Sequence, residues 1–290
     1  MIADVDNDAI VYLNGEYIRL ADARISVLDR GFIFGDGIYD VVPAYAGRPF
    51  RMAEHLDRLE RSLKSISINV DMERADWEAL VTDMLHRSGL GDCMVYIQVT
   101  RGVAKRDHAF PKNVSPTVFC MVAPFDRPTA TERDQGLSAV SLTDVRWLRC
   151  EIKSISLLGN VLAKQAAVDA GVDEVVQFRD GYLTEGASSN MWVARNGVLL
   201  APPRDNLILE GIRYSLLEAL CVQTDVPFEA RAISREEVAT ADEIMMTSAT
   251  REVLPITQFD GKPVGDGQPG TVYRKLRAAY DQRIKDLEQA

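Results

Sequence analysis

Short β-prone runs joined by two-residue turns constrain this chain more than any other feature. Asn14-Gly15 separates Ile10–Leu13 from a second run at 17–20, and Asp180-Gly181 and Asn196-Gly197 repeat the signal far down the chain. Asn-Gly and Asp-Gly fit the type I′ turn, whose two central residues both take positive φ, and that turn joins antiparallel strands. Ala46-Gly47-Arg48 is a further hairpin candidate. Helices are interspersed with these hairpins. Leu56, Leu59, Leu63 and Ile66 recur at helical spacing, and a second helix is expected over Arg74–Ser88, stopped by Gly89. Strands are expected at 94–101 and 117–123, separated by a polar stretch. This mixture predicts an α+β fold rather than a doubly wound parallel sheet.

At 290 residues the chain is long enough for two domains. Pro124-Phe125-Asp126-Arg127-Pro128-Thr129-Ala130-Thr131 reads as the linker, with two prolines and mixed polarity. The expected division is a small α+β domain over 1–123, a linker over 124–131 and a larger domain over 132–290 that carries Lys153. In that second domain Ser156 is expected to cap a helix ending at Gly171, and helices are expected near 212–224 and 271–288. The net charge of −10 disfavours nucleic acid and anionic membranes as partners. Met1-Ile2-Ala3-Asp4-Val5-Asp6 lacks a hydrophobic signal core, and no apolar run approaches the ~20 residues that span a bilayer. Cys93, Cys120, Cys150 and Cys221 show no C-x-x-C spacing. A cytoplasmic protein is expected.

Two stretches point to chemistry. Glu151-Ile152-Lys153-Ser154-Ile155-Ser156 embeds a lysine among apolar residues, and Thr184-Glu185-Gly186-Ala187-Ser188-Ser189-Asn190 sets a carboxylate in a turn of small residues. A lysine amine can condense with an aldehyde, and a carboxylate can keep a pyridine nitrogen protonated, so the pair suits a pyridoxal phosphate enzyme. An isolated lysine is ordinarily a surface residue, and a turn glutamate ordinarily caps nearby amides. Of the eight lysines, Lys64, Lys164, Lys275 and Lys285 lie in helix-like stretches, Lys105 and Lys112 in a loop, and Lys262 after a turn glycine; only Lys153 sits in a strand-like run at a segment boundary. Gly211 and Ile212 stand at a loop-to-helix junction, where unpaired amides favour an anion. Periodicity alone would put Arg58 on the solvated side of its helix. His55, His86 and His108 lack metal-ligand spacing, so no metal is expected. Gly35-Asp36-Gly37 lacks the following helix that a dinucleotide fingerprint needs, and Ser188 and Ser189 sit in no nucleophile elbow.

Six motifs in order carry a family resemblance over nearly the whole length: Asp29-Arg30-Gly31-Phe32-Ile33-Phe34-Gly35-Asp36-Gly37-Ile38-Tyr39, Glu54-His55-Leu56-Asp57-Arg58-Leu59, residues 146–154, residues 184–190, Ile208-Leu209-Glu210-Gly211-Ile212 and Thr247-Ser248-Ala249-Thr250. The chain resembles the fold-type IV pyridoxal phosphate enzymes, which include D-amino acid aminotransferases, branched-chain aminotransferases and 4-amino-4-deoxychorismate lyases, and it is most similar to the D-amino acid branch. The resemblance implies a homodimer using pyridoxal 5′-phosphate. It implies that Lys153 holds the cofactor as a Schiff base and shuttles the proton, and that Glu185 pairs with the pyridine nitrogen. It places Gly186, Ala187 and Ser188 close to the cofactor and Leu209 against the ring. Gly211, Ile212, Arg58 and Ser248 would hold the phosphate. Arg213 and Ala249 stand where close relatives carry threonines; Arg213 either substitutes electrostatically or points to solvent while its amide binds. Tyr39, with Arg106 and His108 from a partner's loop, would hold the substrate carboxylate, against the bland reading of 102–116 as a charged surface loop. The implied reaction is D-alanine plus 2-oxoglutarate to pyruvate plus D-glutamate by ping-pong kinetics. The rivals are a branched-chain L-amino acid aminotransferase, an aminodeoxychorismate-type lyase, and a non-catalytic protein that sequesters the cofactor or serves a structural role.

Overall fold

The computed structural model describes residues 5–289; Met1 to Asp4, on which the reading of the N-terminus partly rests, and Ala290 lie outside the described residues. The chain divides into two compact units. The first runs to Asp126 and also takes in Ile152–Leu157, and the second comprises Arg127–Glu151 and everything from Leu158 on. Lys153 therefore belongs by its contacts with the first unit, not with the larger second domain in which the sequence reading placed it.

The first unit contains β1 (Ile10–Leu13), β2 (Glu16–Arg19), α1 (Arg30–Phe34), β3 (Gly37–Tyr45), β4 (Arg48–Pro49), α2 (Met52–Ser65), α3 (Arg74–Ser88), β5 (Cys93–Thr100) and β6 (Thr117–Pro124). Its six strands form an antiparallel sheet in the order β2-β1-β6-β5-β3-β4. Asn14-Gly15 and Ala46-Gly47 make its tight turns, with φ of 51° and 98° and of 49° and 74°. Leu56, Leu59 and Leu63 of α2 and Trp77, Leu80 and Met84 of α3 pack on Ile38, Val42, Val95 and Ile97 of the sheet. Each such leucine gains about 1.5–3 kcal/mol over exposure, before the entropy of ordering it.

The second unit contains α4 (Ala130–Gln135), β7 (Leu137–Thr143), α5 (Leu158–Asp169), β8 (Glu174–Arg179), β9 (Tyr182–Leu183), β10 (Asn190–Arg195), β11 (Val198–Ala201), α6 (Ile212–Gln223), β12 (Phe228–Ala230), α7 (Arg235–Ala239), β13 (Glu243–Ser248), β14 (Glu252–Phe259), β15 (Lys262–Pro263) and α8 (Thr271–Gln289). The sheet order is β12-β11-β10-β13-β14-β7-β8-β9, with β15 on β14. The sheet is mixed: β11/β12, β14/β7 and β7/β8 are parallel pairs. The β7–β8 pair needs a crossover, which α5 supplies. Strands β8 and β10 are buried nearly throughout, as strands covered on both faces are. One face carries Leu137, Val176, Met191, Val193, Ile244 and Leu254, and Ala163 and Ala167 of α5 meet Val175 on the other.

Two expectations differ in detail. The last residues of the expected linker are helical, because Thr129 and Glu132 form a reciprocal capping box that starts α4. Helix α5 begins at Leu158, and the Ser156 hydroxyl donates to the Gly35 carbonyl at 2.9 Å. Among the described residues no helix is long and apolar enough to cross a membrane, and no cluster of His, Cys, Asp or Glu could hold a metal ion.

Candidate active site

In the first unit the lysine segment is fastened to an open strand edge. Among the described residues β3 has, beyond its short pairing with β4, no partner strand on the side away from β5, and unpaired edge groups need partners. The Tyr39 N–H donates to the Lys153 carbonyl at 2.9 Å, the Ile155 N–H donates to the Gly37 carbonyl at 3.1 Å, and Ser154 bridges Ile38. The Lys153 N–H donates to Ser62 Oγ at 3.3 Å. Lys153 is thus in an irregular segment docked on a strand, rather than in a strand of its own. These bonds fix its backbone while its Nζ lies 4.1 Å from the centroid of the Tyr39 ring. Tyr39 in turn stacks on Tyr96 at 5.7 Å. Of the expected substrate and catalytic residues, Tyr39 and Lys153 are brought together.

The opposite face of β3 corrects the reading of Arg58 as solvated. Asp40 faces α2 and is fully buried, as is His55, and Arg58 is only 5% exposed. Arg58 Nε donates to Asp40 Oδ2 and Nη2 to Oδ1, both at 2.8 Å, while His55 Nδ1 lies 2.7 Å from Oδ1. Burial pushes the Asp40 carboxyl up, but the Arg58 guanidinium and His55 hold it well below the usual carboxylate range. His55, Arg58 and Ser62 form a polar seam beside the leucine stripe of α2. Leucine periodicity alone hides that seam, since a charge is buried only where a distant partner neutralises it. Asp40 and Ser62 were missed for the same reason.

Arg106 and His108 are exposed, yet their loop is anchored. The Arg106 guanidinium and the His108 ring each lie 5.3 Å from the Phe34 ring. Buried Arg30 donates to the carbonyls of Asp107 and His108 and is held by Asp36 at 2.7 Å. Asp36 also takes Arg101 at 2.8 Å. The loop backbone is therefore pinned while two basic side chains stay available.

In the second unit the turn after β9 presents Glu185, 5% exposed. One carboxylate oxygen accepts from the Leu209 N–H at 2.8 Å, and the other takes the Arg146 guanidinium. Beneath the turn, Glu174 accepts from the Ala187 N–H at 3.1 Å and the Ser189 hydroxyl at 2.9 Å, and Gln177 donates to the Gly186 carbonyl at 2.8 Å. A Cβ on Gly186 would run into the Ser189 hydroxyl and the Met191 methyl, so a larger residue there would have to displace both side chains. Ser188 faces outward.

Gly211 is the N-cap of α6 with extended backbone, and no side chain caps that end. The Tyr214 N–H donates to the Gly211 carbonyl at 2.9 Å, and the start of a helix favours an anion. A Cβ on Gly211 would strike Asn190, whose amide donates to the Leu209 carbonyl at 2.8 Å. Arg213 is 2% exposed, which rules out the solvent-facing alternative. Its Nη2 donates to the Ala249 carbonyl at 3.0 Å and its Nε to the Tyr280 hydroxyl at 3.2 Å. Arg213 therefore ties the start of α6 to the Ser248-Ala249 turn, where Ser248 Oγ accepts from the Arg251 N–H at 3.1 Å. Arg213→Thr is expected to cost about 1–3 kcal/mol of stability through these lost bonds. Urea unfolding with an unchanged midpoint would rule out this tie.

The class IV amino-transferase family model matches residues 37–259. The chain is 40% identical over 276 residues to a D-alanine aminotransferase of Staphylococcus epidermidis, covering 95% of this chain and 98% of that one. It is 38% identical over the same length to the D-alanine aminotransferase of Staphylococcus haemolyticus, with the same coverage. Among solved structures, the branched-chain amino acid aminotransferase of Escherichia coli superposes with a TM-score of 0.89 at 24% identity, covering 95% of this chain and 94% of that one, a likeness of fold alone.

Proposed function

Because the chain belongs to the class IV aminotransferases, we propose that it transaminates D-amino acids, taking D-alanine and 2-oxoglutarate to pyruvate and D-glutamate. Class IV aminotransferases use pyridoxal 5′-phosphate. When bound, that cofactor supplies an aldehyde and a ring that accepts electrons from the substrate Cα. The residues present fit it. Lys153 offers an amine on a fixed backbone, Glu185 a buried carboxylate, and Gly211 and Ile212 an uncapped helix start where a side chain at 211 would not fit. Arg58 and Ser248 would add donors for the phosphate, Leu209 would pack against the ring, and the turn at Gly186, Ala187 and Ser188 would permit close approach.

Lys153 Nζ takes the proton from the substrate Cα. Tyr39 borders that amine, and Arg106 and His108 grip the substrate carboxylate, Arg106 through its planar fork. With carboxylate, amine and hydrogen all fixed, one enantiomer alone presents its hydrogen to Lys153. The D-alanine aminotransferase relatives, 36–40% identical over nearly the whole chain, carry this reading. It includes a homodimer in which the 102–110 loop of one protomer serves the site of its partner. In support, α5 turns Leu158, Val161, Leu162 and Val168 outward, each more than half exposed. The proposed compartment is the cytoplasm, in keeping with four buried thiols that form no disulfide among the described residues.

D-alanine and L-leucine, each assayed with 2-oxoglutarate, test the proposal. Arg106→Ala is expected to raise KM for D-alanine and for 2-oxoglutarate together, by roughly 10- to 100-fold, because both use one site in turn. Faster turnover of L-leucine than of D-alanine, with Arg106→Ala neutral for both, would overturn the assignment. Pyruvate released without an amino acceptor would mark a lyase instead.

A further inference from the structure

Glu185 does not stand alone in its burial. The Arg146 guanidinium reaches Glu185 Oε1, and the same side chain is gripped by both oxygens of Asp144, Nε to Oδ1 at 2.9 Å and Nη2 to Oδ2 at 2.8 Å. Asp144 also accepts from the Thr184 hydroxyl at 2.9 Å and pairs with Arg179 at 3.1 Å. All three members of the Asp144–Arg146–Glu185 row have side chains no more than 7% exposed. Burial holds the Glu185 carboxyl above the usual carboxylate range, against the pull of Arg146 and of the Leu209 amide. Asp144 is held down at about 2, since Arg146 and Thr184 outweigh its own burial.

A carboxylate facing a pyridine nitrogen shares one proton with it. The proton sits on nitrogen, giving an ion pair, or on the carboxyl, giving a neutral pair. Only the first gives the ring its full electron-accepting power. Burial favours the neutral pair. A guanidinium on one carboxylate oxygen favours the ionised glutamate, and a fixed fork held by a second carboxylate keeps that charge aimed. We infer that Arg146, oriented by Asp144, is a positioning residue that selects the ionised form of Glu185 and so places the shared proton on the cofactor nitrogen, an inference resting on Glu185 as that nitrogen's partner. Without Arg146 the N–H bond breaks, an O–H bond forms on Glu185, and no other reactant is needed.

The test is ¹⁵N NMR of the holoenzyme carrying cofactor labelled at the pyridine nitrogen. Wild type should resonate as protonated pyridine. Glu185→Gln and Arg146→Met should both move the line most of the way to the unprotonated position, and Arg146→Lys, which keeps the charge but loses the fork, should move it partway. A line moved by Glu185→Gln but not by Arg146→Met would overturn the role of Arg146 and leave Glu185 as the partner. A line unmoved by Glu185→Gln would overturn the partner itself, and the inference with it. Should Arg146→Met fail to fold, ¹³C NMR of glutamate-labelled wild-type holoenzyme, assigned by Glu185→Gln, decides the matter. An ionised Glu185 agrees with the inference, and a protonated one refutes it.

Discussion

Lys153→Ala is expected to abolish nearly all transamination while leaving the fold intact. In the proposed function one amine carries two roles, the covalent hold on the cofactor and the proton transfer at the substrate Cα, and both would disappear with it. Proton transfer alone is worth about 10²–10⁴-fold. The fold should survive because the bonds that dock this segment to Gly37, Tyr39 and Ser62 are made by backbone atoms, which alanine keeps. Borohydride treatment of the holoenzyme followed by peptide mapping should put the label on Lys153. Lys164 is the instructive control: it is exposed, and its Nζ donates to the Asp173 carbonyl at 2.7 Å. Label there or on Lys105 would overturn the assignment.

The largest expected loss of stability follows Asp40→Ala. That change leaves the Arg58 guanidinium buried beside His55 without its carboxylate, and breaking a buried pair from one side costs about 3–5 kcal/mol. Urea unfolding should show the loss, and cofactor affinity should fall with it as Arg58 loses the carboxylate that orients it. The pH dependence has a definite sign. Asp40's folded pKa lies well below its unfolded value of about 3.9, so its contribution is present above that value and fades only as pH falls further below it. Wild type and Asp40→Asn should therefore differ in stability at neutral pH and converge in strong acid. A gap that stays constant down through acid pH would show that Asp40 contributes by packing rather than by charge.

The sequence by itself determined the local structure and the type of chemistry. Asn14-Gly15, Asp180-Gly181 and Asn196-Gly197 turn with two positive φ angles, as Asn-Gly and Asp-Gly favour, Asp260-Gly261 repeats the device between β14 and β15, and Ala46-Gly47 does the same although alanine lacks that preference. Helix α3 occupies Arg74–Ser88 and stops at Gly89 with φ 62°. Such features depend on a few adjacent residues, so they can be read without a fold. The motifs around Lys153 and Glu185 likewise marked their residues as candidates, because few lysines and carboxylates sit in apolar or small-residue settings. What tertiary structure alone decided is which charges are buried and which partners hold them. Arg58 looks solvated on a helical wheel and is buried because Asp40, eighteen residues earlier, meets it. Arg213 was expected at a phosphate or in solvent, and Ala249 and Tyr280 hold it within the second unit. Arg146 lay unremarked in a motif until its reach to Glu185, thirty-nine residues on, gave it a task. The physical reason is common to all three. Turn and helix preferences are set by neighbours along the chain, whereas the cost of burying a charge is settled only by whatever the fold brings against it.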